Sequence, residues 1–319
     1  MSRENESTRI VLATDAGFLA PVACVLSMLD RLDPDLVVTI LHDDVKTTDR
    51  ERTTSHLRDG LRVEWIDVSD LLPRHLKGTS HFSRMSYARL ICADAVPSQV
   101  QRIVYLDGDI LIRRSIQPLI EIDLEQRPLG ACLDLNATTA ALGLSDCAIF
   151  GIPDGTPYFN AGVLVVDTAA WRGEGIAARA IEFASEHPDE LQWADQDVIN
   201  VLLGDRCHRL DAQWNLLWGG WGRRTTHRRV GNALPPAELE RALSDPAIVH
   251  FAGSIKPWHP RYGGRLGSRW FDEWRHFASK TAFADELLGG RRERLARLAW
   301  SPLVYPIDIA IRISSRRTN

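Results

Sequence analysis

Short apolar runs broken by polar turns recur along the first two thirds of the chain, and their periods alternate between two and about 3.6. "RIVLATD" (9–15) reads as a buried strand running into a polar loop, and "LAPVACVLSMLDRL" (19–32) follows with helical spacing. "LVVTILHDD" (36–44) is a second strand, "TTDRERTTSHLRD" (47–59) a polar-faced helix, and "LRVEWIDV" (61–68) a third, alternating strand. A strand–helix–strand unit this early predicts a parallel sheet of nucleotide-binding topology. Further on, 83–96 predicts a helix ending before Pro97, 101–112 a strand, 128–135 another, and 158–171 a strand leading into a helix. "QWADQDVINVLLGD" (192–205) predicts a helix with acids in its first turn, where the dipole favours them. Segments 206–217 and 247–258 close the alternating part, and from 268 the pattern is helical. The expected organisation is an α/β domain over 1–267 and a helical, basic and apolar extension over 268–319.

Composition narrows the class. At 319 residues, 45% hydrophobic and 25% charged, the chain has enough apolar material for a substantial core. A formal net charge of −4 gives no global preference for nucleic acid. The five cysteines (Cys24, Cys92, Cys132, Cys147, Cys207) are scattered without CxxC spacing, which reads as reduced, buried thiols. The start "MSRENESTR" lacks the apolar core of a signal peptide, and no stretch reaches the roughly 18 apolar residues of a membrane span. Together these predict a cytoplasmic protein.

The first chemical signal is "IVYLDGDILI" (103–112), where an apolar run meets Asp107 and Asp109. Acids at i and i+2 of an extended segment project to one side, and Gly108 between them would let a ligand approach the backbone. Such hard oxygen donors suit Mg²⁺ or Mn²⁺, although an acidic turn ending a strand has the same composition. His250 in "AIVHFAGSIKPW" also ends an apolar run, with Lys256 six residues on. An imidazole suits Mn²⁺-type ions, and an ammonium can neutralise phosphate.

Five blocks then resemble, in order, the retaining glycosyltransferases of family 8, the group that includes lipopolysaccharide galactosyl- and glucosyltransferases and glycogenin. They are "IVLATDAGFLAPVACVLSML", "FSRMSYARL", "RIVYLDGDILI", "YFNAGVLVVDTAAWR" with "ADQDVINVLL", and "VHFAGSIKPW", spanning about 10–258. The resemblance implies a GT-A fold, in which a Rossmann-like nucleotide-binding half shares a mixed central sheet with an acceptor-binding half. It implies an enzyme moving a hexose, galactose or glucose, from a UDP-sugar to an acceptor hydroxyl with retention. Asp107, Asp109 and His250 would hold Mn²⁺ (or Mg²⁺) against the diphosphate, near Gly108. Ala13 and Asp15 would hold uracil and ribose, with Phe18 stacking on the base; many relatives carry Asn where Gly17 stands. Arg89 would contact the diphosphate or donor sugar, Asn160 and Ala161 would line the sugar pocket, and Gly253 and Lys256 would close over the diphosphate. Asp195 and Gln196 would be the catalytic pair, with Gln196 beneath the anomeric carbon. An amide is a poor nucleophile, which favours same-face attack, and Asp195 is the candidate for a double displacement.

Two other readings stand beside this one. Haloacid-dehalogenase-type phosphatases also place D-x-D after a strand, with the first acid, here Asp107, as nucleophile, but Leu111 replaces their Thr or Val. A non-catalytic sugar-nucleotide-binding protein would share the fold. Trp214, Trp218 and Trp221 read either as acceptor-binding faces or as core, and Arg223, Arg224, Arg228 and Arg229 either as an anionic-acceptor site or as solvated surface. No Tyr lies between Tyr158 and Tyr262, which argues against self-glucosylation as in glycogenin. The tail, with Arg291, Arg292, Arg294, Arg297, Arg312, Arg316 and Arg317 among Trp300, Tyr305 and other apolar residues, reads as an interfacial segment on anionic lipid or as a helical cap. The acceptor on these readings is a carbohydrate, glycolipid or small glycoside.

Overall fold

The computed structural model describes residues 7–58, 60–76, 83–218, 230–253, 256–259 and 268–289. Its first half is the predicted parallel unit: β1 (Thr8–Thr14), α1 (Leu19–Leu32), β2 (Val37–His42), α2 (Thr47–Thr54) and β3 (Arg62–Asp67). β1 lies between β2 and β4 (Arg102–Leu106) and is parallel to both. Strands covered on both faces need no alternation, which is why β2 is buried at every position. β3, at the sheet edge, is part-exposed along its whole length, without the alternating burial its sequence predicts.

The second half adds β6 (Leu129–Leu133), β7 (Phe159–Asp167) and β8 (Cys207–Arg209) to the same sheet, giving the order β3-β2-β1-β4-β7-β6-β8. β7 runs antiparallel to both β4 and β6, so the sheet is mixed. The acid-led helix expected within 192–205 forms as α3 (Asp195–Leu203) and packs on β7. A second sheet joins β5 (Ile110–Ile112), β10 (Ile248–His250) and β9 (Leu216–Leu217), with β10 in the middle. The single strand expected over 101–112 is therefore two strands in two sheets. Asp107 N–H extends the first ladder to Gly162 C=O at 2.8 Å, while Asp109 C=O accepts from Phe251 N–H of the second sheet at 3.0 Å. Asp107–Asp109 is the hinge between them.

Two other expectations change in detail. The helix expected over 83–96 is a 3-10 helix, Arg84–Ile91, followed by one α-turn, Cys92–Ala95. Ser83 caps its start by accepting Met85 N–H at 3.2 Å, and Val96 is extended, as a residue before proline should be. Six of its residues, Met85 and Tyr87–Ile91, are buried. The helix expected over 47–59 stops at Thr54.

α1 is apolar nearly all round because the sheet covers one face and α4 (Ser268–Ala278) the other. Trp270, Phe271 and Trp274 of α4 belong to the same core as Ile10, Leu12 and Val104. Arg113 fastens α4 from the β5 side, bonding Glu273 at 2.7 Å beneath the Trp270 ring. All five cysteines are free and buried. Among the described residues no helix is long and apolar enough to cross a membrane. Trp221, Arg223, Arg224, Arg228, Arg229 and the tail from 290 lie outside the described residues.

Candidate active site

The strand order reverses beside β1, and the loops leaving β1 and β4 flank the crevice that results, the usual place for a ligand in an open α/β sheet. Ala13 and Asp15 lie at the end of β1, where the Asp15 carboxylate accepts Gly17 N–H at 2.9 Å. Phe18 follows, packed edge-on against Trp258 with 5.8 Å between ring centres. Here Gly108 acquires a different reason from the one its sequence suggested. A Cβ at 108 would sit 2.7 Å from Phe18 Cε1 and 3.2 Å from Val22 Cγ2, so an aromatic ring, not a ligand, occupies the space a side chain would need.

Asp107, Asp109 and His250 meet at the hinge, their candidate ligand atoms all within 4.8 Å of one another. His250 Nε2 lies 3.3 Å from Asp109 Oδ1 and 3.7 Å from Asp107 Oδ2. Two carboxylates and an imidazole are a donor set suited to a hard divalent cation. Gly162, which carries no signal in the sequence, makes the cluster possible: a Cβ there would fall 2.2 Å from His250 Cε1 and 2.9 Å from Asp107 Oδ2. Lys256 reaches in from the segment after β10, its ammonium on Asp109 Oδ2 and, at 2.8 Å, on Phe251 C=O. Burial alone would raise the Asp109 pKa, but Lys256 and His250 override it and hold the carboxyl well below the usual range. Gly253, in the same segment, has φ +96°, a conformation glycine adopts without strain.

On the other side of the crevice α3 presents its N-terminus. Ala194, which precedes it, is fully buried at φ +50°, a strained setting for a residue with a Cβ, worth on the order of 1–3 kcal/mol. Arg89 joins the two sides. Its guanidinium bonds Asp107 Oδ1 at 2.9 Å, Asp195 Oδ2 at 2.7 Å and Ala161 C=O at 2.5 Å, over the face of Tyr105. Burial pushes Asp195 up to about 6 against the pull of Arg89, with Asp107 adding repulsion. Asp197, whose carboxylate accepts from Trp193 N–H at 2.8 Å and from Tyr158 O–H, is likewise pushed up by burial to about 6.

Gln196 is held by amides. Its Oε1 accepts from Asn160 Nδ2 at 3.0 Å and from Ala161 N–H at 3.1 Å, and its Nε2 donates to Asp134 Oδ2 at 3.2 Å. Asp134, just past the end of β6, also accepts from Asn160 Nδ2 at 3.1 Å, and burial raises its pKa. Within 128–135 the sequence predicts only a strand; the available signal for Asp134 is an apolar run ending in an acid, the same pattern as at Asp107. Trp214 is buried in the core, and Trp218 is half-buried between the two main core clusters. The structure thus brings Asp107, Asp109, His250, Lys256, Arg89, Asn160, Ala161, Asp195 and Gln196 into one contact network, with Ala13, Asp15 and Phe18 along its β1 edge.

Residues 9–261 match the sequence profile of glycosyl transferase family 8. The chain belongs to that family. Among its relatives, General stress protein A of Bacillus subtilis (strain 168) is 26% identical over 291 residues, covering 88% of this chain and 96% of the relative. The lipopolysaccharide 1,3-galactosyltransferase of Salmonella typhimurium (strain LT2) is 28% identical over 204 residues, 62% of this chain but 55% of the relative, so the matched region spans about half of that enzyme. The structure of the galactosyltransferase LgtC in complex with donor and acceptor sugar analogs superposes with a TM-score of 0.70 at 25% identity, covering 86% of this chain and 96% of that one. The family 8 fold here is therefore the GT-A type, and its chemistry is glycosyl transfer. A phosphatase reading of Asp107 is set aside by that assignment.

Proposed function

We infer that this family 8 member is a retaining hexosyltransferase that takes galactose or glucose from a UDP-sugar in the presence of Mn²⁺ or Mg²⁺ and delivers it to a hydroxyl of a carbohydrate, glycolipid or small glycoside. The observation that carries this reading is the convergence of Asp107, Asp109 and His250 at the crevice, one arginine away from Asp195. Relatives described as galactosyl- and glucosyltransferases support the hexose. When bound, the cation would neutralise charge that develops on the departing diphosphate.

The remaining roles belong to the chain. Asp15 and Ala13 hold the nucleoside end, with Phe18 beside the base. Lys256, which pairs with Asp109 here, would with Gly253 close over the diphosphate and neutralise part of its charge. Arg89 keeps Asp107 and Asp195 in register, so that the diphosphate and sugar ends of the donor are positioned by one guanidinium. Asn160, Ala161 and Gln196 line the sugar. Asp195 is engaged by Arg89 and only 3% exposed, and Gln196 is an amide, so neither offers a free nucleophile. That favours attack by the acceptor on the face the UDP leaves, with a departing phosphate oxygen taking the acceptor proton. A cytoplasmic enzyme touching the membrane through its basic tail fits the same reading.

Calorimetry of UDP binding with and without EDTA tests the cation: equal affinity in both would sink it. A panel of UDP-sugars assayed for UDP release fixes the donor, and NMR of the product fixes the stereochemistry. A β-linked product from an α-donor would rule out retention.

A further inference from the structure

Asn215, between the 3-10 turn Ala212–Trp214 and β9, is completely buried. Its carboxamide bridges the metal cluster and the sugar side: Oδ1 lies 3.0 Å from His250 Nδ1, and Nδ2 lies 2.8 Å from Asn160 Oδ1. Distances alone do not say which end of an amide is oxygen, but backbone N–H groups can only donate, and two of them set the polarity of this network.

Gly162 N–H points at one end of the Asn160 amide at 3.0 Å, so that end is the oxygen. Ala161 N–H likewise fixes Gln196 Oε1 as an acceptor, at 3.1 Å. Asn160 then presents its NH₂ to Gln196 Oε1 and to the Asp134 carboxylate, which only accept. With Asn160 Oδ1 fixed as an acceptor, the atom of Asn215 facing it must be the nitrogen. The other end of Asn215 is therefore oxygen, and the ring atom facing it, His250 Nδ1, must carry hydrogen. In the neutral ring the lone pair is left on Nε2, the nitrogen that faces Asp109 and Asp107.

We propose that Asn215 is a positioning residue for the metal site: it fixes the tautomer and plane of His250 so that Nε2 is the ligating atom, and its other end locks Asn160, and through it Gln196, into the same frame. The opposite tautomer would aim an N–H at the cation. Gly162 completes the device, because its missing Cβ lets the Cε1–Nδ1 edge of the ring lie against the backbone of β7. The proposal rests on the cation reading of Asp107, Asp109 and His250. It adds a hydrogen-bonded path of two asparagines from that cluster to the sugar side of the crevice.

The test uses the full chain with ¹⁵N-labelled histidine. Long-range ¹H–¹⁵N NMR of the metal-free protein, followed to a pH where the ring is neutral, should show hydrogen on Nδ1 of His250. Asn215→Leu should lose that preference and bind Mn²⁺, titrated calorimetrically in the presence of UDP, about 10–100-fold more weakly. Asn215→Asp keeps an acceptor for Nδ1–H and should restore Mn²⁺ affinity to within a few-fold. Because it no longer donates to Asn160, its kcat should stay low. A wild-type His250 with hydrogen on Nε2 overturns the proposal, as does a folded Asn215→Leu that binds Mn²⁺ as tightly as wild type. Should the leucine variant not fold, the wild-type tautomer and the aspartate variant decide. A wild-type chain that binds no Mn²⁺ removes the cation reading instead, and the tautomer of His250 still tests Asn215 separately.

Discussion

The hinge at Asp107–Asp109 and the helix start at Asp195–Asp197 are built from the same residues, two buried or half-buried aspartates two positions apart, yet their surroundings differ. At the hinge, Asp109 has an ammonium and an imidazole against it, and its pKa falls despite burial. At the helix start, Asp195 and Asp197 have between them one shared guanidinium, a few hydrogen bonds and the N-terminal dipole, and burial raises both to about 6. Spacing in the chain does not decide how a carboxylate behaves; the cations that the fold delivers to it do. Asp109 is prepared to meet positive charge, whereas Asp195 and Asp197 are closer to taking up a proton and serve better as scaffold and hydrogen-bond partners.

The largest expected effect that would break this contrast comes from Asp109→Ala. It should abolish the metal dependence of UDP binding, lowering affinity in Mn²⁺ on the order of 100-fold or more, as read by calorimetry with and without EDTA. Removing Asp197 should leave that dependence untouched. A loss of metal dependence from both would mean that the two clusters are one electrostatic unit.

Gly162→Ala comes next. Its Cβ cannot coexist with His250 where the ring now lies, so the ring must swing away from both aspartates. Mn²⁺ affinity should fall by roughly tenfold or more, while the melting temperature changes only as overpacking worth about 1–3 kcal/mol requires. Unchanged Mn²⁺ binding would show that His250 is not held from this side.

A pH series sharpens the comparison at the helix start. The folded pKa of Asp197 is raised above its unfolded value, so folding takes up a proton between about pH 4 and 6, and stability attributable to this carboxyl declines as pH rises through that window. The stability of wild type relative to Asp197→Asn should therefore fall by up to about 3 kcal/mol from pH 4 to 6 and stay level above. Denaturant melts at several pH values measure it; a difference that grows in favour of wild type would reverse the assigned sign. Gly108→Ala has the smallest expected effect, about 1 kcal/mol of stability, because the ring edge it meets can move. Phe18→Leu in the same chain should relieve the cost. Persistence of the defect there would return Gly108 to the ligand.

Much of the site is legible in the sequence because its residues end apolar runs. Asp107, Asp109 and His250 each stand where a buried strand meets the crevice, and an ionisable group in that place is conspicuous in a hydropathy pattern. Arg89 and Gln196 are found only through the resemblance to family 8, since a lone arginine or glutamine on a helix has many ordinary uses. Gly162 and Asn215 leave no such mark. A glycine in an apolar strand and an asparagine after a tryptophan look ordinary until the strand order brings β7, β9 and β10 against one hinge. Ala194 is hidden for a different reason: nothing in its side chain records a positive φ.

The sequence by itself determined the alternating α/β elements, the parallel first half and the acids at the hinge, because burial and hydrogen bonding of the local backbone leave those patterns in neighbouring residues. Only the tertiary structure decided that "LDGDI" passes from one sheet to another, that Phe18 claims the space beside Gly108, and that backbone amides at Ala161 and Gly162 polarise a network ending at His250. Those are contacts between residues far apart in the chain, set by strand order and close packing, and periodicity carries no record of them.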